Sequence, residues 1–150
     1  MDIESLLRLL SENAVEFVVI GASAFPAHGY SRATLDLDLF IRPDADNARR
    51  TMTALREFGY DVTDLSVEDL LTKKVLIRQY IVETDIHPFV TGTTFEKVWA
   101  RKVEGMYGDT PVFYASLDDL IEMKRAAARP KDLDDLAFLL ELKRRRNEGE

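Results

Sequence analysis

Acidic and apolar residues alternate in Thr34-Leu35-Asp36-Leu37-Asp38-Leu39-Phe40-Ile41. Successive strand side chains point to opposite faces, so a strand here sets Asp36 and Asp38 side by side and turns Leu35, Leu37 and Leu39 the other way. Two neighbouring carboxylates repel each other. The repulsion is tolerable on a wet face and becomes favourable where a hard cation neutralises it; Mg²⁺ selects carboxylate oxygens and keeps room for substrate phosphates. A solvated strand face produces the same Asp-x-Asp, because charged residues sit outside in any fold.

Upstream, Phe17-Val18-Val19-Ile20 reads as a buried strand that runs into Gly21-Ala22-Ser23-Ala24. Glycine permits a tight turn there. A strand, a turn and a short helix leave backbone N–H groups and the Ser23 hydroxyl pointing outward, a natural cradle for phosphate. An ordinary strand-to-helix turn has the same composition. Downstream, Arg78-Gln79-Tyr80-Ile81-Val82-Glu83-Thr84-Asp85-Ile86-His87 reads as one long strand or a pair ending in Asp85, a third acid that can converge with the first two.

In this order, Gly21-Ala22-Ser23, Asp36-Leu37-Asp38 and Asp85 resemble the pattern of the nucleotidyltransferase superfamily with the fold of DNA polymerase beta. The closer resemblance is to small prokaryotic members grouped with the minimal nucleotidyltransferases and the AbiEii-type toxins. That likeness rests on Arg32-Ala33-Thr34 before the Asp-x-Asp, on Asp85-Ile86-His87, on Gly92 to Trp99 and on Leu120 to Asp132. Ala22 departs from the family's more usual second glycine, and the interval from Ser23 to Asp36 is longer than in the shortest members.

The resemblance implies an α+β nucleotidyltransferase fold, a mixed β-sheet flanked by helices; the length of 150 residues suits a single domain over 1–150, and the pattern along the chain gives it a helical C-terminal segment at about 116–147. The resemblance also implies transfer of a nucleoside monophosphate from an NTP to a hydroxyl acceptor, with pyrophosphate leaving. Asp36 and Asp38 would hold two Mg²⁺ (or Mn²⁺) ions roughly 4 Å apart, and Asp85 would ligate the second and take the proton. Gly21 and Ser23 would grip the outer phosphates, Arg32 and Thr34 would contact the triphosphate, and Lys124 and Arg129 would reach toward the nucleotide. Lys124 and Arg129 also suit a helix end, where cations are favourable against the dipole. A protein side chain, a tRNA 3′ end or a small hydroxyl compound would serve as acceptor, and a partner protein or a second subunit would complete the site. The alternative is a catalytically silent nucleotide-binding module, the antitoxin or regulator of a partner. A toxin that modifies tRNA is the third reading, with Arg125, Arg129, Lys131 and the basic tail guiding the RNA end.

Composition sets limits. The chain is 46% hydrophobic and 31% charged, and no apolar run approaches the roughly 20 residues of a membrane span. The acidic start Met1-Asp2-Ile3-Glu4 and the lack of cysteine lead to the expectation of no secretory leader and a cytoplasmic address. A formal charge of −7 argues against broad binding to duplex DNA, which needs lysine and arginine to neutralise phosphates.

The positioning elements follow from periodicity. Ile3, Leu6, Leu7 and Leu10 predict a first amphipathic helix, and Ala24 to His28 a short one. Ala48, Met52, Leu55 and Phe58 after Pro43-Asp44 predict a long helix capped at Gly59. Ser66 to Asp69 and Ser116 to Asp119 read as capping boxes, the second opening a helix over Leu117 to Ala128. Val75 to Ile86 and Val112-Phe113-Tyr114 supply strand, and a final helix runs from about Lys131 into Lys143-Arg144-Arg145-Arg146, read as a solvated tail. His28 and His87 are read as structural, and Phe95 and Trp99 as core.

Overall fold

The computed structural model describes residues 2–30 and 36–149. Arg32 and Thr34 lie outside the described residues. Helix α1 (Ile3–Glu12) buries Ile3, Leu6, Leu7 and Leu10, and the Asp2 side chain caps it by accepting the Ser5 N–H at 2.8 Å. Strand β1 (Phe17–Ile20) is buried at every position, as a central strand must be. A 3₁₀ helix over Gly21–His28 follows, starting at Gly21 and not at Ala24. Strand β2 (Asp36–Ile41) leads to α2 (Ala45–Phe58), which ends at Gly59 as the sequence predicts. The reciprocal Ser66–Asp69 box opens α3 (Val67–Thr72).

Val75 to Ile86 is not one strand. β3 (Val75–Ile77) and β4 (Glu83–His87) are separated by a turn over 78–82 and pair antiparallel. Asp85 therefore sits inside β4, and the strand runs on to His87. Helix α4 (Phe95–Ala100) is followed by a hairpin of β5 (Val103–Tyr107) and β6 (Thr110–Tyr114). Helix α5 (Leu117–Ala127) and the long α6 (Pro130–Glu148) complete the chain. The fold is α+β: among the described residues a mixed six-stranded sheet runs β3-β4-β2-β1-β6-β5, flanked by helices and followed by the C-terminal helix. No helix of the described residues is long and apolar enough to cross a membrane.

Two pairings position the acids. β1 and β2 are antiparallel with Ile20 opposite Asp38, which brings the turn after β1 onto the Asp-x-Asp. β2 and β4 are parallel with Asp38 opposite Asp85. Buried Asn47 fixes the first pairing from outside the sheet: its Oδ1 accepts the Glu16 N–H at 2.8 Å, and its Nδ2 donates to the carbonyls of Glu16 and Arg42, each at 3.0 Å. Tyr60 supports β4, its hydroxyl donating to the Val82 carbonyl at 3.0 Å and lying 2.9 Å from the Thr84 hydroxyl. Leu37, Leu39, Thr84 and Ile86, on the face opposite the acids, are fully buried.

The basic run near the C-terminus is part of α6 and not a tail. Lys143 pairs with Asp118 at 2.8 Å, Arg144 with Glu141 and Glu148, and Arg145 with Glu141. Arg146 lies 3.3 Å from His28 Nδ1.

Candidate functional site

Alternation along β2 and β4 puts Asp36, Asp38, Glu83, Asp85 and His87 on one face of the sheet. Asp36, Asp38, Asp85 and His87 line a common cleft of about 870 Å³ with Gly21, Lys74, Lys124, Arg129 and Lys131. The three carboxylates thus face one cleft, but the expected set does not close as a whole: Asp38 and Asp85 come close to ligating range of each other, while Asp36, one pleat outward opposite Glu83, is exposed and stands apart.

The turn after β1 meets them closely. Gly21 has φ +63°, and a Cβ there would lie 2.7 Å from Asp38 Oδ2, so glycine is required both by the backbone conformation and by the approach of the carboxylate. Ser23 behaves differently from expectation. Its hydroxyl does not point outward to form a phosphate cradle: the residue is 5% exposed, and the hydroxyl donates to the Ile20 carbonyl at 2.8 Å and accepts the Asp38 N–H at 3.2 Å. It pins the backbone of the second acid to the turn.

Asp85 is already engaged by cations. Its Oδ1 accepts from Arg78 Nη1 at 2.6 Å, and Lys74 Nζ is 3.8 Å from Oδ2. The hydrogen bond to Asp85 raises the pKa of Arg78; burial opposes this, and the charges of Asp85, Glu83 and Asp36 add to it. Arg78 also reaches Glu83 at 3.4 Å, so it has a second carboxylate within range.

His87, expected to be structural, also lines the cleft, as does Lys74, which the sequence reading did not single out. His87 Nε2 is 3.1 Å from Asp38 Oδ1, and the residue is only partly exposed. The signal was its spacing, two residues after Asp85 on one strand and so on the same face. One ligand atom each from Asp38, Asp85 and His87 lies within 4.8 Å of the others. Donors bound to one small divalent ion at about 2.1 Å can be at most about 4.2 Å apart, so the set is close to ligating range, and an ion there would have to draw Asp85 from Arg78 and Lys74. His28, by contrast, is structural as read: buried, with Nε2 2.9 Å from the Ala115 carbonyl. Burial holds its pKa below the ordinary value; the Ala115 bond opposes this, and Arg146 adds to it.

The far wall comes from the α5–α6 corner. Lys124 Nζ is 3.2 Å from both Asp132 Oδ1 and Asp135 Oδ2, so it is more than a helix cap. Asp132 is fully buried and accepts from Arg129 Nε at 2.6 Å and from the Arg129 N–H at 3.1 Å. Burial pushes the Asp132 carboxyl up, but the hydrogen bonds from Arg129 and Lys124 outweigh it and hold its pKa at about 2. Arg129 feels the charge of Asp38, which raises its pKa further after the larger effect of Asp132. The loop after β4, which brings Phe89, Val90 and Thr91 to the cleft, closes on α5 at Gly92, where a Cβ would lie 2.7 Å from the Ala126 Cβ.

No protein-family model matches the chain, and no curated protein matches it.

Proposed function

We propose that this protein is a nucleotidyltransferase dependent on Mg²⁺ or Mn²⁺, with a nucleotidyltransferase fold, moving a nucleoside monophosphate from an NTP to a hydroxyl acceptor. The observation that carries the reading is the adjacency of Asp38 and Asp85 on parallel strands, with Asp36 on the same face, at the floor of a cleft walled by Lys124, Arg129 and Lys131. The cleft's volume falls within the roughly 300 to 1,000 Å³ of small-molecule sites. Carboxylates on one side and cations on the other suit a polyphosphate bridged to the acids by metal.

A divalent ion held by the acids would neutralise phosphate charge and acidify the attacking hydroxyl. The chain's own residues do the rest. Asp85 accepts the proton as the acceptor oxygen bonds to the α-phosphorus, the bond to the β-phosphate breaks and pyrophosphate leaves with the electron pair. An ammonium has three donors, and Lys124 directs two at Asp132 and Asp135, which leaves one for a phosphate oxygen. Gly21 lets the turn approach Asp38. Ser23 holds Asp38 in place and does not grip phosphate itself.

One observation favours a second reading, a nucleotide-binding module without turnover that regulates a partner: Arg78 and Lys74 occupy the oxygens that Asp85 would offer to metal and proton. Both readings require nucleotide and metal to bind at Asp38. The test is thermal melting with NTP and Mg²⁺ or Mn²⁺, since a ligand that binds the native state alone stabilises it by mass action. The melting temperature should rise for the parent and not for Asp38→Asn. An equal rise in both proteins takes nucleotide binding away from this site.

A further inference from the structure

We propose that His87 is a metal ligand, completing an Asp38–Asp85–His87 donor set that prefers Mn²⁺ to Mg²⁺; the proposal rests on the reading of the cleft as a metal-dependent nucleotide site. Three observations converge on it. His87 follows Asp85 by two residues on β4, so strand alternation directs both side chains into the cleft. Its Nε2 stands 3.1 Å from Asp38 Oδ1, a separation typical of neighbouring ligands on one ion. The three residues place a donor atom each within 4.8 Å, whereas Asp36 lies one pleat outward, opposite Glu83, and is not part of that group.

Donor chemistry then sets the preference. Mg²⁺ is hard and takes oxygen ligands, keeping several waters. Carboxylates suit Mn²⁺ and Mg²⁺ alike, whereas nitrogen donors are taken by first-row transition ions, of which Mn²⁺ is the weakest binder, so between these two ions the imidazole favours Mn²⁺. Two carboxylates and one imidazole therefore tilt the site toward Mn²⁺, while an all-carboxylate set would not. Without metal, a proton on Nε2 makes the Asp38 contact a hydrogen bond. To ligate, the neutral ring must carry its proton on Nδ1 and turn the Nε2 lone pair to the ion. Asp38 then serves as partner in one state and fellow ligand in the other.

A positioning role is the competing account: His87 would keep its Nε2 proton, orient Asp38 and never touch the ion. Affinity alone does not separate the two, because partners behind the ligands also cost about 10- to 100-fold in metal binding when removed. Nitrogen coordination does. The experiment is pulsed electron paramagnetic resonance of Mn²⁺ on the full chain, alone and with ATP, together with titration of Mn²⁺ and Mg²⁺ on the parent, His87→Gln and His87→Ala. Circular dichroism of both variants checks folding. The expected result is imidazole ¹⁴N coupling in the parent, its loss in both variants, and Mn²⁺ binding at least about tenfold weaker in His87→Ala. His87→Gln, which offers an amide oxygen, should also narrow the preference for Mn²⁺ over Mg²⁺. Bound Mn²⁺ without nitrogen coupling overturns ligation by His87 and leaves the metal-dependent reading standing. Absence of Mn²⁺ binding to the parent, with and without ATP, overturns both.

Discussion

Replacing Asp132 with asparagine keeps the side chain's shape and removes its charge from between Lys124 and Arg129. The carboxylate is fully buried and its pKa falls from 3.8 to about 2 on folding. At 1.36 kcal/mol per pKa unit, that shift corresponds to about 2 kcal/mol of stability. The sign follows from the direction. A carboxyl whose folded pKa is depressed contributes fully above its unfolded value of 3.8, and the contribution is lost as pH falls through about 2. Urea unfolding at pH 6 should therefore find Asp132→Asn less stable than the parent by about 2 kcal/mol, and the gap should shrink to about half by pH 3. A gap that stays constant between those pH values, or no gap at pH 6, refutes the claim that this ion cluster holds the α5–α6 corner through charge.

Gly21→Ala should cost about 1 to 2 kcal/mol in urea unfolding, because φ +63° is unfavourable with a Cβ and the new methyl meets Asp38 Oδ2. It should also impair any activity that needs Asp38 in place. Tyr60→Phe leaves the buried Val82 carbonyl and Thr84 hydroxyl without that partner, so a loss of about 1 to 2 kcal/mol is expected by the same method. Lys124→Met should weaken binding of a non-hydrolysable NTP by roughly ten- to a hundredfold in calorimetric titration. Because it also strips Asp132 and Asp135 of a cation, it should lower stability, and equal NTP affinities would remove Lys124 from the site.

The parts of this molecule that are legible in its sequence are those set by local rules. The Asp44-to-Gly59 helix, the Ser66 box and the apolar β1 each depend on residues close in the chain. The common face of Asp36 and Asp38 follows from alternation alone. β5 was not visible because Val103-Glu104-Gly105-Met106-Tyr107 is a largely exposed edge strand with no apolar alternation; its pairing with β6 defines it. The turn at 78–82 was hidden for a related reason. Gln79 is held by side-chain bonds to the backbone of Asp61, a partner distant in sequence. Ser23 turns inward because Asp38 N–H arrives from another strand, and Lys124 finds Asp132 and Asp135 only once α5 and α6 meet. The spacing of His87 from Asp85 places both on one face, but its approach to Asp38 depends on the parallel pairing of β2 and β4, which no local rule supplies.

The most direct test of the central claim is transfer of label from α-³²P-labelled ATP, CTP, GTP and UTP in Mg²⁺ or Mn²⁺. The protein itself, tRNA and small hydroxyl compounds are offered as acceptors, and pyrophosphate release is followed alongside. Nucleotidyl transfer predicts labelled acceptor and an equal amount of pyrophosphate from the parent, with neither from Asp38→Asn. Parent protein that binds nucleotide and metal but releases no pyrophosphate with any of the four would contradict the enzyme and leave the silent binding module in its place.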